Sequence, residues 1–350
     1  MNTPRLNLDD IAHKAGVSRA TVSRVINNKG YVSDDKRARV LQVIEQEGFA
    51  PNQAARTLVT KRTQNIGIVI PEQIDIIMDD GRYFSSLLQG ITEVTYEHDY
   101  GVVLWLSHQS ESDEQFYKRI TRNRLTDGLL LMSATGADGL LEYLAQDAAT
   151  PLVTLFEHGR FGGQTHFVTI DNVEAARNAV DHLLRLGRRR IAVITGRITH
   201  PDAQGRLQGY KLALAAAGIG FDPQLVVEGL YTYDSGYEGA QKLIGRGFDA
   251  LFAGNDTSAV GAIRALNEHG LRVPEDVAVI GFDDIAGATS IRPQLTTVHQ
   301  PVRQIGAQAA RLLLEVIAER PTQPRHILLP THLVVRQSCG AELASVLTPR

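Results

Sequence analysis

The chain has 350 residues, of which 43% are hydrophobic and 21% are charged, and this is the usage of an ordinary folded protein with two or three folding units. Such a composition excludes collagen-like, low-complexity and wholly disordered chains, and no run of apolar residues is long enough to span a membrane. The N-terminus has no apolar segment of the secretory kind, and the single cysteine, Cys339, cannot form an internal disulfide. We therefore expect a cytoplasmic protein.

The formal net charge of −3 conceals an asymmetry between the two ends of the chain. Residues 1–65 hold 11 Lys and Arg and 6 Asp and Glu, a net charge of +5, whereas the remaining residues hold 25 and 33, a net charge of −8. A basic module on an acidic body is typical of a polyanion-binding domain attached to a separate body. An ordinary solvated basic surface would give the same charges, so charge alone does not identify nucleic acid as a partner.

Three short helical patterns follow one another in the basic module. The first begins after Asn7, a helix-capping residue, and ends at Gly16; the second begins after Ser18; the third begins at Ser33 and ends at Gly48. Each carries apolar residues at helical spacing, namely Leu8, Ile11, Ala12 and Ala15, then Val22, Val25 and Ile26, then Val40, Leu41, Val43 and Ile44. Two short helices joined around a glycine, with a third that completes the core, predict a helix-turn-helix.

The outer face of the second helix carries groups suited to DNA, because the recognition helix of this motif places its N-terminal end in the major groove. Arg19 can donate two parallel hydrogen bonds to a guanine edge, and Ala20 offers a methyl group to thymine or permits close approach. Hydroxyl, charged and amide groups for phosphate or base contacts belong to Ser18, Thr21, Ser23, Arg24 and Asn27. A capped helix with a polar outer face and no DNA contact would show the same spacing.

Residues 51–59 form a fourth helical pattern, which is too short to be stable by itself and is followed by a basic polar linker. It would order only when DNA or a partner holds it, and its candidate DNA contacts are Asn52, Ala55 and Leu58. Leu58 would act as a wedge between base steps in the minor groove. The alternative is that Leu58 packs against the body of the protein.

The remaining chain alternates between strand and helix patterns in two series. Apolar, β-rich runs begin near residues 66, 102, 128 and 152, with spacings of 36, 26 and 24, and again near residues 191, 226, 250 and 277, with spacings of 35, 24 and 27. This alternation predicts an α/β body of two similar lobes, each a parallel sheet wrapped by helices. Lobes of this kind bind ligands in the cleft outside the carboxyl ends of their strands.

The candidates for a ligand site are the polar residues Glu157, Asn255 and Asp283 at predicted strand ends, together with Arg206 in the helix that begins near Pro201 and the aromatic residues Phe84 and Tyr231. Carboxylates and a carboxamide pair with the vicinal hydroxyls of a sugar, a guanidinium adds fixed donors, and aromatic rings stack on a pyranose face. Taken singly, each could be a capping or turn residue, as we expect of Asp256 and Asp284. Adjacent aspartates could also serve as a general acid and base.

Motifs for several other chemistries are missing from the sequence. It has no dinucleotide-binding or Walker glycine loop, no nucleophile elbow, and no zinc-type spacing of His and Cys. We therefore expect neither a cofactor nor a metal.

The segments VSRATVSRVIN at 17–27 and GYVSDDKRARVLQVIEQEGFAPNQAARTL at 30–58, with AQGRLQGY, AGND and GFDD in the body, resemble the lactose and galactose repressor family. The resemblance runs from about residue 6 to about residue 338. It implies that the second helix contacts the major groove through Arg19 and Ala20, with Arg24 as a further contact. It also implies a hinge helix at 52–59, with Leu58 in the minor groove, and near-palindromic operators with a central CpG step.

The same resemblance implies ligand-binding roles for Arg206, Asn255 and Asp283. Glu157 stands where some members have Asp, and Tyr231 stands where some have a stacking tryptophan. Phe84 corresponds to an aromatic residue that stacks on the ligand in some members. The substitutions at Glu157 and Tyr231 keep the chemistry of the site and leave the size and identity of the ligand open.

From the patterns and the resemblance we expect a helix-turn-helix DNA-binding domain at 1–50, a hinge helix and linker at 51–64, a two-lobed effector-binding and dimerisation domain at 65–340, and a tail at 341–350. The first lobe would take about 65–166 and 300–323, and the second about 167–299 and 324–340. The tail is too short for the heptad repeats that would hold a tetramer. We therefore expect a homodimer.

The expected function is that of a transcription regulator, a repressor of carbohydrate-utilisation genes, which binds double-stranded operator DNA. A mono- or disaccharide bound between the lobes would control the affinity for the operator, and the protein would not be an enzyme. The rival interpretation is a sugar-binding or sugar-modifying protein without DNA binding. A purine or nucleoside effector is a second alternative, because some members of the family use one, and the sequence leaves open whether the effector releases or recruits DNA.

Overall fold

A computed structural model describes residues 6–26, 30–49, 62–70, 83–108, 110–122, 124–132, 138–147, 149–155 and 163–341. The chain divides into two compact units, residues 1–63 and 64–350. Among the described residues, no helix is both long enough and apolar enough to cross a membrane.

The described part of the first unit contains three helices, α1 (Leu8–Ala15), α2 (Arg19–Ile26) and α3 (Asp34–Glu47). The side chain of Asn7 accepts hydrogen bonds from the first turn of α1, and Asp10 bonds back to the Asn7 backbone, so the predicted cap is a reciprocal capping box. Gly16 and Gly48 end α1 and α3 in the left-handed conformation, with φ of 62° and 57°. Their shared core is small and consists of Ile11, Ala12, Ala15, Val22, Val25 and Val40.

The first sheet of the second unit has six parallel strands in the order β11-β5-β4-β3-β1-β2. In chain order these are β1 (Asn65–Ile70), β2 (Gly101–Leu106), β3 (Gly128–Leu131), β4 (Leu152–Thr154), β5 (His166–Ile170) and β11 (His326–Leu329). The helices of this lobe are α4 (Tyr83–Glu97), α5 (Asp113–Thr121), α6 (Asp138–Gln146) and α12 (Val302–Glu319). Trp105 is buried in β2 within an apolar cluster, so it is a core residue.

The second sheet also has six strands, in the order β12-β10-β9-β8-β6-β7. They are β6 (Ile191–Thr195), β7 (Val226–Glu228), β8 (Ala250–Ala253), β9 (Ala278–Asp283), β10 (Thr296–His299) and β12 (His332–Val334). The helices of this lobe are α7 (Asn172–Arg185), α8 (Pro201–Ala216), α9 (Tyr233–Leu243), α10 (Asp256–Glu268) and α11 (Gly287–Ser290). The expected α/β class is confirmed, with one difference: β12 pairs antiparallel with β10 at the edge of the sheet.

The limits that we expected for the lobes, near residues 166 and 323, are wrong by a few residues. Strand β5 lies beyond the first limit and β11 beyond the second, yet both pair in the first sheet. The chain therefore passes between the sheets after Ile170, after His299 and again between Leu329 and His332. Periodicity could not locate these passages, because a strand followed by a helix has the same pattern whether the helix stays in its own lobe or enters the next.

Close packing of α7 against α8 positions the residues that matter for the site. A Cβ atom on Gly209 of α8 would lie 2.2 Å from the backbone oxygen of Val173 in α7, so only glycine permits this approach. The contact brings Arg206, one turn earlier in α8, against Asn172 at the start of α7.

Candidate functional site

The carboxyl ends of strands β6, β8 and β9 meet at one edge of the second sheet. Gly196 follows β6, Gly254 and Asn255 follow β8, and Asp283 is the last residue of β9. Arg206 reaches the same edge from α8, and its side chain is buried, with 8% exposed. Arg206, Asn255 and Asp283, three of the residues singled out from the sequence, therefore lie at one edge of the second sheet.

The Arg206 guanidinium is held from several sides. Its Nε donates to Asn172 Oδ1 at 2.9 Å, and its Nη1 donates to the Gly254 backbone oxygen. Its central carbon lies 3.7 Å from the centre of the Phe282 ring, which fixes the plane of the group. The Nη2 atom lies 3.9 Å from Asp283 Oδ1 and 3.9 Å from Asp202 Oδ2. One edge of the cation thus faces two carboxyl groups.

Tyr231 lies beside this cation in a left-handed backbone conformation, with φ of 65°. Its hydroxyl donates to Asp202 Oδ2 at 3.1 Å, and its backbone oxygen accepts a hydrogen bond from Asn255 Nδ2 at 2.8 Å. A Cβ atom on Gly196 would lie 1.9 Å from the Tyr231 ring, so the glycine makes room for the ring. The ring is a wall of the site, 5.7 Å from the Arg206 guanidinium.

The adjacent residues Asn255 and Asp256 have different roles. Asn255 is 2% exposed and caps α10, because its Oδ1 accepts a hydrogen bond from the Ser258 backbone nitrogen at 2.9 Å. Asp256 is fully buried and accepts hydrogen bonds from the Ile285 backbone nitrogen at 2.9 Å and from Thr297 Oγ1 at 2.5 Å. Asp256 therefore anchors the turn that follows Asp283.

Asp283 and Asp284 also differ, although both have positive φ angles, of 107° and 61°. The Asp284 carboxylate is engaged by Arg336 Nη2 at 2.6 Å and by His299 Nδ1 at 3.0 Å, which is the structural role expected of it. The Asp283 carboxyl, 7% exposed, faces Arg206 and accepts a weak hydrogen bond from Gln300 Nε2 at 3.4 Å. The sequence GFDD thus provides one aspartate for the site and one for the fold.

Burial has the largest influence on the pKa values of the titratable groups in the site. It raises the pKa of Asp283 to about 7, against the opposing attraction of Arg206 and with the added repulsion of Asp202. Burial also raises the pKa of Tyr231 well above its ordinary value, so this phenol stays neutral and can donate a hydrogen bond. For Arg206, burial alone would lower the pKa, but the neighbouring acidic groups raise it, and the cation is retained.

Three residues of the site were not among the sequence candidates. Asp202 precedes Arg206 by one helical turn, a spacing that is equally typical of a surface ion pair, and Asn172 is at the first position of another helix. Tyr83, at the start of α4 in the first lobe, is near enough to Arg206 to contribute to its raised pKa. No local signal distinguishes these three, since their roles depend on contacts between distant parts of the chain.

No contact with Arg206 is described for the other two candidates, Phe84 and Glu157. Phe84 follows Tyr83 at the start of α4 and is half-buried against the apolar core of the lobes. Glu157 lies outside the described residues, so its membership of the site stays a prediction. Among the described residues, no group of three or more His, Cys, Asp or Glu side chains is arranged to hold a metal ion.

In the first unit, the residues predicted to contact DNA lie on one accessible surface of α2 and its cap. Ser18, Arg19, Ala20 and Arg24 are exposed, and Thr21 and Ser23 are half-buried. The Ser18 hydroxyl accepts a hydrogen bond from the Thr21 backbone nitrogen at 3.2 Å, which confirms it as the cap of α2. The remaining predicted contacts, Asn27, Asn52, Ala55 and Leu58, lie outside the described residues.

Comparisons with known proteins agree with both units. Residues 7–52 match the model of the bacterial regulatory proteins of the lacI family, and residues 180–339 match that of the periplasmic binding protein-like domain. The chain is 37% identical over 344 residues to the HTH-type transcriptional regulator CelR of Thermobifida fusca, covering 95% of this chain and 98% of that protein. It is 35% identical to catabolite control protein A of Priestia megaterium, covering 94% and 98%.

Solved structures show the same fold over nearly the whole chain. A complex of the transcriptional regulator CelR with cellobiose superposes with a TM-score of 0.75 at 36% identity, covering 95% of this chain and 100% of that one. The lac repressor dimer bound to operator and the anti-inducer ONPF superposes with a TM-score of 0.83 at 26% identity, covering 95% and 99%. A helix-turn-helix, a two-lobed body and this degree of identity over almost every residue together place the chain in the lacI family of bacterial regulatory proteins, as a DNA-binding transcription regulator.

Proposed function

We propose that this regulator is a repressor of carbohydrate-utilisation genes which binds a near-palindromic operator as a homodimer, and that a small sugar in the cleft between its lobes controls operator affinity. The observation that carries the proposal is the cluster of Arg206, Asp202, Asp283 and Tyr231 at the carboxyl ends of the strands, in which Arg206 and Asp283 are buried. The regulator is proposed to act in the cytoplasm, where its operator DNA is located.

The cluster has the chemistry of a site for a polyhydroxyl compound. Asp283 and Asp202 accept hydrogen bonds from sugar hydroxyls, while Arg206 donates to hydroxyl or ring oxygens. The flat face of Tyr231 stacks on a pyranose ring. A neutral ligand suits a site in which the cation is already balanced by carboxyl groups, because a bound anion would compete with them for Arg206. Phe84, Glu157 and Asn255 complete the proposed set of ligand contacts.

Relatives support a disaccharide as the first compound to test. The structure of CelR at 36% identity holds cellobiose, and the lac repressor structure holds a dimer on its operator. The HTH-type transcriptional repressor PurR of Pasteurella multocida is 31% identical over 96% of this chain. A purine is the second candidate to test.

Ligand and operator are coupled through the movement of the lobes. A ligand that binds one arrangement of the lobes more tightly than the other, by about 1–3 kcal/mol, changes operator affinity by one or two orders of magnitude. In the proposed mechanism the arrangement of the lobes in the dimer decides whether the hinge segments at 52–59 order in the minor groove. The residues proposed to contact DNA are those of α2 together with Asn27, Asn52, Ala55 and Leu58.

The deciding experiment combines ligand screening with operator binding. Cellobiose, other mono- and disaccharides and purines are compared in thermal unfolding, where a ligand at 100 times its Kd stabilises the protein by about 2.7 kcal/mol. The stabilising compound is then added to an operator obtained by binding-site selection. Weaker operator binding identifies an inducer, and stronger binding identifies a corepressor. Stabilisation by purines alone would replace the sugar, and a wild-type protein that selects no sequence would contradict the proposal.

We also propose that the site binds without chemistry. The stabilising sugar should be recovered unchanged after prolonged incubation with the protein, as measured by mass spectrometry, because Asp256 and Asp284 are committed to the fold. Turnover that is lost in Asp283→Asn would identify an enzyme instead.

The proposed wedge gives a separate test of the hinge. Leu58→Gly should weaken binding to the selected operator far more than binding to unrelated DNA, since only ordered minor-groove insertion uses the side chain. Competition binding on both duplexes measures this difference. Equal losses on the two duplexes would remove the wedge from the mechanism.

A further inference from the structure

An ion pair connects α1 to the start of α2 in the first unit. Arg19 is the first residue of α2, and its Nη1 lies 3.5 Å from Oδ2 of Asp9 in the first turn of α1. Both side chains stay well exposed, at 66% and 65%. Exposed ion pairs contribute little to folding stability, so stability gives no strong reason for a contact at this position.

The position of Arg19 is unfavourable for a cation. The unpaired backbone N–H groups of the first turn form the positive end of the helix dipole, and α2 has no acidic residue in its own first turn. The Asp9 carboxylate supplies the missing negative charge from the neighbouring helix. The ion pair therefore offsets the repulsion and restricts the directions in which the Arg19 guanidinium points.

The other acidic contacts described in this unit are made with α1 and its cap or within α3. Asp10 accepts a hydrogen bond from the Asn7 backbone nitrogen at 2.8 Å and completes the cap of α1. Glu47 pairs with Lys14 at 2.6 Å. Asp35 pairs with Arg39 one turn later in α3 at 3.3 Å. Among the acidic residues described between 6 and 49, Asp9 is the one whose ion pair is with the helix proposed to enter the groove.

We propose that Asp9 is a positioning residue for base recognition, which holds Arg19 so that its guanidinium meets a guanine in each operator half-site. A contact through Nη1 leaves the edge formed by Nε and Nη2, which can donate in parallel to guanine O6 and N7. An arginine held in this direction loses less side-chain freedom on binding than an unrestrained one. The inference rests on the DNA-binding function proposed above.

The carboxylate has a second effect on specificity. DNA phosphates carry the charge that drives non-specific binding, and a carboxylate near the groove opposes it for every sequence alike. Asp9 therefore favours the guanine contact through Arg19 while disfavouring unrelated DNA. Both effects increase the ratio of specific to non-specific affinity, on which the occupancy of an operator in a genome depends.

The experiment begins with selection of operators from a pool of randomised duplexes by the full-length wild-type protein. Asp9→Asn, Arg19→Ala, the double variant and the control Glu47→Gln are then compared on the selected duplex, on duplexes with each guanine replaced by adenine, and on unrelated DNA. We expect Asp9→Asn to lower the preference for one guanine by about two- to fivefold, as is usual for exposed ion pairs. It should also strengthen binding to unrelated DNA.

The control and the double variant separate positioning from charge. Glu47→Gln removes one negative charge from the ion pair that connects α3 to Lys14 of α1 and should leave the guanine preference unchanged. In the Arg19→Ala background, Asp9→Asn should cause no further loss of guanine preference. Asp9→Glu, which keeps a carboxylate, should retain part of the preference that Asp9→Asn loses.

Two results would overturn the inference. One is an equal change on all duplexes for Asp9→Asn, and the other is a loss of guanine preference that persists without Arg19. Circular dichroism of each variant shows whether the helices are intact. If the guanine preference falls only in variants that have also lost helix content, the positioning role of Asp9 is contradicted. If the wild-type protein selects no sequence, the proposed function itself fails, which is a different outcome from the failure of Asp9 alone.

Discussion

The two proposed binding sites, one in each unit, both contain an arginine beside aspartate, and these two groupings differ above all in burial. Arg19 and Asp9 are 3.5 Å apart with about two-thirds of each side chain exposed. Arg206 lies 3.9 Å from both Asp202 and Asp283, with 8% of its own side chain exposed. The first cation is therefore surrounded by water, whereas the second is almost fully removed from it.

The difference decides what each grouping can do. The exposed pair is weak, since water competes for both charges, and its guanidinium can exchange solvent for a base edge at little penalty. The buried cation has lost its hydration and depends on Asn172, Gly254 and the Phe282 ring for its place. The proposed DNA-binding surface is therefore hydrated before it binds a polyanion. The proposed site for a neutral polyhydroxyl ligand is already ordered, and its cation is nearly inaccessible to solvent.

The largest effect should follow removal of the buried cation. Arg206→Ala leaves Asp202 and Asp283 facing each other without their partner, and breaking a buried ion pair usually destabilises by about 3–5 kcal/mol. We expect loss of the effector response with unchanged operator affinity, measured by operator binding with and without the stabilising sugar. Arg264→Ala is the matched control, since Arg264 pairs with Glu268 in the same lobe but is 62% exposed. An Arg206→Ala variant that still responds fully would place the ligand elsewhere.

A smaller effect should follow removal of the exposed cation. Arg19→Ala should reduce discrimination at one base pair of each half-site by about 1–3 kcal/mol, because one bidentate contact to guanine is lost. Binding-site selection with the variant measures the change, and thermal unfolding with the sugar should show the same stabilisation as wild type. An unchanged selected sequence would mean that α2 does not contact bases through Arg19.

The smallest effect should come from the charge of Asp283. Since burial raises the pKa of Asp283 to about 7, the folded protein binds more protons than the unfolded chain between about pH 4 and pH 7, and its stability falls as pH rises through that range. Asp283→Asn removes this dependence. We expect the difference in melting temperature between Asp283→Asn and wild type, measured at pH 5 and at pH 8, to move in favour of the variant as the pH rises.

Ligand binding should depend on pH in the opposite direction. A sugar hydroxyl that donates to Asp283 favours the ionised carboxylate, so the affinity of the wild-type protein for the sugar should rise between pH 6 and pH 8. In Asp283→Asn the affinity should be lower and nearly independent of pH, as titration calorimetry at several pH values would measure. A wild-type affinity that falls over this range would show that the neutral carboxyl is the form that binds.

Local signals in the sequence determined much of what the structure contains. Asn7, Gly16 and Gly48 mark the helix ends of the first unit, because capping and left-handed residues act over one helical turn. The alternating runs determined the two lobes, since burial of a parallel strand on both faces requires a continuous apolar run. Strand ends then marked Asn255 and Asp283 as candidates, because parallel strands bring their carboxyl ends to one edge.

Tertiary structure alone decided which members of each polar group belong to the site. Asp283 faces Arg206, whereas its neighbour Asp284 pairs with Arg336. Asn172 and Tyr83, which are distant in sequence, also lie near Arg206. It also decided where the chain passes between lobes. The physical reason is the sequence separation of the interactions. Helix caps and periodicity depend on residues within one turn or one strand. The surroundings of a side chain depend instead on packing between helices and sheets that are tens to hundreds of residues apart.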